Sequence, residues 1–139
     1  MTTPATRSVV IERTMPFPPD KIWRALTEGV LIKEWLLDND FQPVVGHRFN
    51  FRVKPMPNWN GVIDSEVLVV EPNKKLSYSW NTLGLETVVV FTLVATSGGT
   101  LLRMEQSGFG PGQDANYKGA QYGWQKFIGG LERVVTGLQ

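Results

Sequence analysis

The stretch YKGAQYGWQKFIGGLERVVTG, residues 117–137, decides how the rest of the chain has to be read. Trp124, Phe127, Ile128, Leu131, Val134, Val135 and Leu138 recur at spacings of three and four, with Gln125, Lys126, Glu132 and Arg133 between them. That is the pattern of one long helix with a single apolar face. Such a face must be buried against another element. At about 100° per residue, Gly119, Gly123, Gly130 and Gly137 also fall on one stripe about 40° wide, along the edge of the apolar one. Each glycine costs about 0.8–1 kcal/mol relative to alanine, roughly 3–4 kcal/mol for the row. The row is therefore expected to face a closely approaching backbone or a space left open for a ligand.

Upstream, the periodicities supply what the helix needs. Ser8 to Thr14 alternates as a first strand, and the proline-rich Met15 to Pro19 ends it. PPDKIWRALTEG has proline and Asp20 at a helix start, Ile22, Trp23 and Leu26 on one face and Gly29 at the close. A second short helix carries Leu31, Ile32, Trp35 and Leu36. After Asp38-Asn39-Asp40 the period becomes twofold: Phe49, Phe51 and Val53 share a strand face opposite Arg48, Asn50 and Arg52. PMPNWNG reads as a loop. GVIDSEVLVVEP resumes a strand whose register the sequence leaves open. Leu76, Tyr78 and Trp80 then alternate with Ser77 and Ser79, Val89, Phe91 and Leu93 with Val88, Val90 and Thr92, and Leu102, Met104 and Gln106 with Leu101, Arg103 and Glu105. Hairpin-length connections imply an α+β domain, residues 1–139, in which a curved six-stranded antiparallel sheet wraps around the carboxy-terminal helix, with two short helices between strands 1 and 2. A curved sheet and one helix touch along a line, leaving an apolar space beside it of the kind small molecules occupy.

Composition narrows the function. Hydrophobic residues make up 42% and charged residues 19% of the 139, a globular balance. The net charge of +1 is scattered, with Lys74-Lys75 the one adjacent basic pair, which argues against nucleic acid as a partner. No cysteine is present, so disulfides and thiolate metal sites are excluded, and no metal or cofactor is expected. MTTPATRSVV has no apolar run of signal-peptide length, and no stretch is apolar enough to span a membrane, so a cytoplasmic location without membrane association is the expectation.

Few residues could carry chemistry. His47, the only histidine, lies between Gly46 and Arg48 at a strand start, with no serine or carboxylate pattern suggesting a triad, and reads as a rim residue. GFGPGQ has glycines at 108, 110 and 112, but Gln113 and the absence of a following Gly-Lys-Ser/Thr make it a connecting loop rather than a phosphate cradle. Glu66, Glu86 and Glu105 read as solvent-facing charges, and no pair of them forms an acid–base couple. The inward aromatics fit either a ligand pocket or a filled core, since both require the same pattern. The candidate ligand-binding set is Trp35, Phe49, Phe51, Tyr78, Trp80, Phe91, Met104, Gln106, Gly123, Trp124 and Phe127, with Tyr78 and Gln106 as polar anchors. Val88, Val90 and Leu101, opposite the core face, form an apolar patch from which a homodimer is expected.

The segment PFPPDKIWRALTEGVLIKEWL resembles the opening signature of the START-like (SRPBCC) superfamily, and more narrowly of homologues of the activator of heat shock protein 90 ATPase. VVGHRFNFRV, EPNKKLSYSW, GGTLLRMEQSGF and KGAQYGWQKFIGGLERV resemble that family's second, fourth and sixth strands and its closing helix. The resemblance spans nearly the whole chain and implies the helix-grip (START/Bet v-like) fold. The family often has a glycine where this chain has His47 and a histidine where it has Gln106; the second departure removes a titratable group from the sheet face. The eukaryotic activator also carries a separate amino-terminal domain that these residues do not include. Three functions stand as expectations, in this order: binding of a small apolar or aromatic molecule, as carrier or sensor, in a cavity between sheet and helix; a cyclase- or hydrolase-like enzyme in that cavity; and a stress-linked, co-chaperone-like interaction module with a chaperone partner, which rests on the resemblance alone.

Overall fold

The computed structural model describes residues 7–138; residues 1–6, most of the stretch from which no leader is expected, and residue 139 lie outside the described residues. Strand β1 (Arg7–Met15) leads into helices α1 (Pro19–Thr27) and α2 (Gly29–Trp35), then β2 (Asp38–Asn39), β3 (Arg48–Arg52), β4 (Val62–Glu71), β5 (Lys75–Thr82), β6 (Leu85–Thr96), β7 (Gly99–Phe109) and α3 (Asp114–Gly137). The sheet order is β1-β7-β6-β5-β4-β3-β2, with every neighbouring pair antiparallel. From β2 onward the chain is a meander, and β1 closes onto its last strand.

Among the described residues the sheet has seven strands where the periodicity predicts six. The addition is β2, whose two residues pair with Arg52 and Phe51 at the sheet edge. Two residues are too few to show an alternation. Asn39 also fastens this edge to α2: its Nδ2 donates to the Gly29 carbonyl at 3.1 Å, and its Oδ1 accepts the Phe41 N–H at 3.0 Å.

The unreadable register of β4 has a physical cause. Val67 lies opposite Tyr78 but Val69 lies opposite Ser77, so Leu68 is one residue more than the partner strand can pair. A bulge of this kind bends its strand and strengthens the local twist. Ile63, Ser65 and Val67 point inward before it, and beyond it the alternation slips.

The helix face reads as the spacing predicts. Trp124, Ile128, Leu131 and Val135 are buried, and Phe127 and Val134 pack half-buried beside them. Ile22, Ala25 and Leu26 of α1 and Ile32 and Trp35 of α2 close over the same core. The Trp35 indole N–H donates to the Ala25 carbonyl at 2.8 Å, locking one short helix on the other. On the convex face, Val88, Val90 and Leu101 are half-buried, and Val90 pairs across the strands with Glu105, which is itself bonded to Arg103. Among the described residues, no helix is long and apolar enough to cross a membrane.

Candidate functional site

The concave interior is largely filled by rings. Phe49 and Phe51 lie 5.1 Å apart between centroids, Phe51 and Trp80 5.0 Å, Trp80 and Trp124 5.5 Å, and Phe91 and Trp124 6.0 Å. These are contact separations for aromatic pairs. Tyr78 sits among Phe41, Phe49, Phe51 and Phe91, and Trp35 meets Phe91 edge-on at 6.2 Å. Burial pushes the Tyr78 hydroxyl well above its ordinary pKa, so it stays protonated.

Space remains where the first half of α3 crosses β5, β6 and β7. The sheet contributes Trp80, Leu85 and Gln106 to this cleft. The helix contributes Asn116, Gly119, Ala120, Gly123, Trp124 and Phe127, and the volume is about 190 Å³. Larger depressions, about 570 Å³ beside Met56, Trp59 and Leu83, about 940 Å³ beside Pro72, Lys74 and Thr92, about 340 Å³ beside Phe17 and Thr96 and about 310 Å³ beside Asp40 and Asn50, are surface grooves to which α3 contributes nothing.

The cleft's floor is polar, and its polarity is organised. The Trp124 indole N–H donates to Gln106 Oε1 at 2.7 Å, Gln106 Nε2 donates to Thr87 Oγ1 at 2.9 Å, and the Thr87 hydroxyl donates to the Trp80 carbonyl at 2.7 Å. Gln106 and Thr87 are only 2% and 3% exposed. Buried polar groups persist in an apolar interior when they are bonded to one another in this way.

Of the residues expected to bind a ligand, Trp80, Gln106, Gly123, Trp124 and Phe127 thus come together around the cleft. Trp35, Phe49, Phe51, Tyr78, Phe91 and Met104 are core residues that do not line the cleft, whereas Trp80 and Trp124 belong to both the core and the cleft wall. Leu85, Asn116, Ala120 and Thr87 escaped the sequence reading. Thr87 shares its parity with Val89 and Phe91 on β6, the one signal that could have found it.

Among the described residues, no titratable side chain lines the cleft. His47 stacks on Phe49 and its Nε2 donates to the Asp40 carbonyl at 2.9 Å, as a rim residue would. The Asn50 N–H bonded to the Asp40 carboxylate, with the Arg52 charge beside it, holds that carboxyl below its usual value. Glu66 and Glu105 pair with Arg48 and Arg103, and Glu86 is exposed. In the GFGPGQ loop the Gly110 N–H already donates to Gln113 Oε1 at 2.6 Å, closing the turn on itself.

The glycine row divides by environment. A Cβ on Gly130 would meet the Cβ and carbonyl oxygen of Trp35 at 3.5 Å, an ordinary van der Waals contact, so α2 lies against α3 here without requiring a glycine. Gly119 and Gly137 face open space, and a Cβ on Gly123 would touch only the Phe127 ring, at 4.0 Å. At none of the four does a neighbour come closer than an ordinary contact, so close packing does not account for the row. Gly119 and Gly123 form the helical wall of the cleft. Gly119→Ala and Gly123→Ala should each raise stability by up to about 1 kcal/mol through helix propensity while narrowing the cleft. Denaturant melts check the sign; a loss of stability in the empty protein would show that the wall has no room.

Solved structures share this architecture. The protein MLL2253 from Mesorhizobium loti is 52% identical, with 96% of this chain and 99% of that one aligned and a TM-score of 0.89. DynU16, a protein in the dynemicin biosynthetic locus, is 26% identical with a TM-score of 0.79; the alignment covers 94% of this chain and 47% of DynU16, so the chain spans about half of that protein. NE0264 from Nitrosomonas europaea, 22% identical over 93% of this chain and 94% of its own with a TM-score of 0.78, shares the fold. No curated protein matches the sequence. The family model for "Activator of Hsp90 ATPase homolog 1-like protein" matches residues 16–136. With its helix-grip architecture, the chain belongs to this family, that of the activator of Hsp90 ATPase homolog 1-like proteins, within the SRPBCC fold.

Proposed function

We propose that the domain binds a small apolar or aromatic molecule in the cleft between β5–β7 and the first half of α3, as a carrier or sensor. The observation that carries this reading is the cleft itself: five apolar side chains, Trp80, Leu85, Ala120, Trp124 and Phe127, around one buried carboxamide, Gln106. An apolar cavity of roughly 150 Å³ holds benzene, so about 190 Å³ suits a substituted single ring. DynU16 comes from a biosynthetic locus, which lends some support to a cyclase- or hydrolase-like enzyme. Against that reading, no side chain able to exchange a proton near neutral pH, as general acid–base catalysis requires, lines the cleft among the described residues.

The test is direct. A small uncharged fluorescent probe of one or two rings should bind with a stoichiometry of one and quench tryptophan emission, because Trp80 and Trp124 both face the cleft. Failure of the folded protein to bind any such probe would remove the carrier reading. The second reading, a protein-interaction module, would then gain. It is favoured by Met56 and Leu83, 61% and 68% exposed beside the half-buried Trp59, with Leu83 held at a φ of 51° that a branched residue rarely adopts.

A further inference from the structure

The hydrogen-bond chain under the cleft has a fixed direction. At one end an indole N–H can only donate, and at the other a main-chain carbonyl can only accept. The amide of Gln106 is therefore oriented without ambiguity, with Oε1 toward Trp124 and Nε2 toward Thr87. This ordering engages the Trp124 N–H, the Thr87 hydroxyl hydrogen and one of the two Nε2 hydrogens. The second Nε2 hydrogen has no partner among the described residues. It belongs to a residue that is 2% exposed and lines the cleft, and an unmatched buried donor is a standing demand for an acceptor.

The surroundings define which acceptor. Trp80, Trp124 and Phe127 present aromatic surface, and among the described residues the cleft is lined by neither a cation to balance a carboxylate nor an anion to hold an amine. Burying an unpaired ligand charge here would cost far more than one hydrogen bond returns. We propose that the cleft selects a neutral aryl carbonyl, a single aromatic ring bearing a ketone, aldehyde or amide oxygen that accepts from Gln106 Nε2–H. The inference rests on the cleft being the ligand site.

Three probes of nearly equal shape separate the two claims: acetophenone, α-methylstyrene, in which a methylene replaces the carbonyl oxygen, and benzoate. Calorimetric titration of the full chain should show acetophenone binding about threefold to tenfold tighter than α-methylstyrene, the ratio corresponding to one net hydrogen bond. Benzoate should bind weakest. In a nitrogen–proton correlation spectrum, one of the two Gln106 side-chain amide protons should shift on adding acetophenone and stay in place with α-methylstyrene. If α-methylstyrene binds as tightly as acetophenone, the carbonyl preference is wrong and the cleft remains a ligand site. Tighter binding of benzoate overturns the neutral class, and binding of none of the three overturns the site itself. Gln106→Met keeps length and apolar bulk and removes the donor, so it should erase the preference for acetophenone. Because it also unpairs Trp124 and Thr87, the spectrum of the unaltered protein stands as the independent readout should that variant fail to fold.

Discussion

Trp124→Ala should lower the free energy of unfolding by about 3–5 kcal/mol, the range for removing a large buried aromatic. Trp124 is 2% exposed, with ring centroids 5.5 Å from Trp80, 6.0 Å from Phe91 and 5.5 Å from Phe127, so its loss leaves a void bordered by three further rings. Trp124→Phe separates packing from polarity. It keeps a ring in place but leaves Gln106 Oε1 without its donor, which should cost about 1–3 kcal/mol. Pairing Trp124→Phe with Gln106→Leu should then cost less than the two single changes added together, because the second change removes the orphaned acceptor; coupling of about 0.5–3 kcal/mol is usual for such neighbours. Urea melts of the four proteins complete the cycle. Strict additivity would mean that the buried chain is not a structural unit and would withdraw its role in orienting Gln106.

Much of this architecture is legible in the sequence because it depends on repeats longer than a few residues. The stripe on α3, the pairing of Leu102, Met104 and Gln106 on one face and the aromatic alternation of β3 and β5 each repeat often enough to fix a face. What escaped was set by single residues. The bulge at Leu68 breaks the parity of β4 once, and β2 is two residues long, so neither leaves a period to read. The site was legible only by halves, since rings that fill a core and rings that line a cleft share one inward pattern. Phe49, Phe51 and Phe91 are enclosed in the core while Trp80 and Trp124, core residues too, border the cleft with Phe127, because of where α3 crosses the sheet, a three-dimensional fact. The glycine row likewise mixes a residue in ordinary contact with Trp35 with others facing open space, although all four share one helical angle.

That division between core and cleft gives the sharpest comparison of two substitutions that should be about equally damaging to stability. Trp80→Ala and Phe91→Ala each remove a buried aromatic, and each should cost about 3–5 kcal/mol. Their effects on binding should differ. Trp80 is the sheet-side wall of the cleft, so its removal enlarges the space beyond about 190 Å³; a single-ring probe should lose contacts and bind several-fold more weakly, while a two- or three-ring probe should bind more tightly. Phe91 is fully buried and does not line the cleft, and its neighbours Trp35, Tyr78 and Trp124 close over the void it would leave. The size preference of the protein should therefore survive Phe91→Ala even as its melting point falls. Measuring both variants well below their melting points keeps unfolding out of the titration. A ligand held among the core rings would give the reverse pattern, with Phe91→Ala altering size preference and Trp80→Ala sparing it. Equal effects would mean that the probes report loosening of the whole interior rather than one site. Only a change in size preference confined to Trp80→Ala is consistent with a molecule lying between Trp80 and α3.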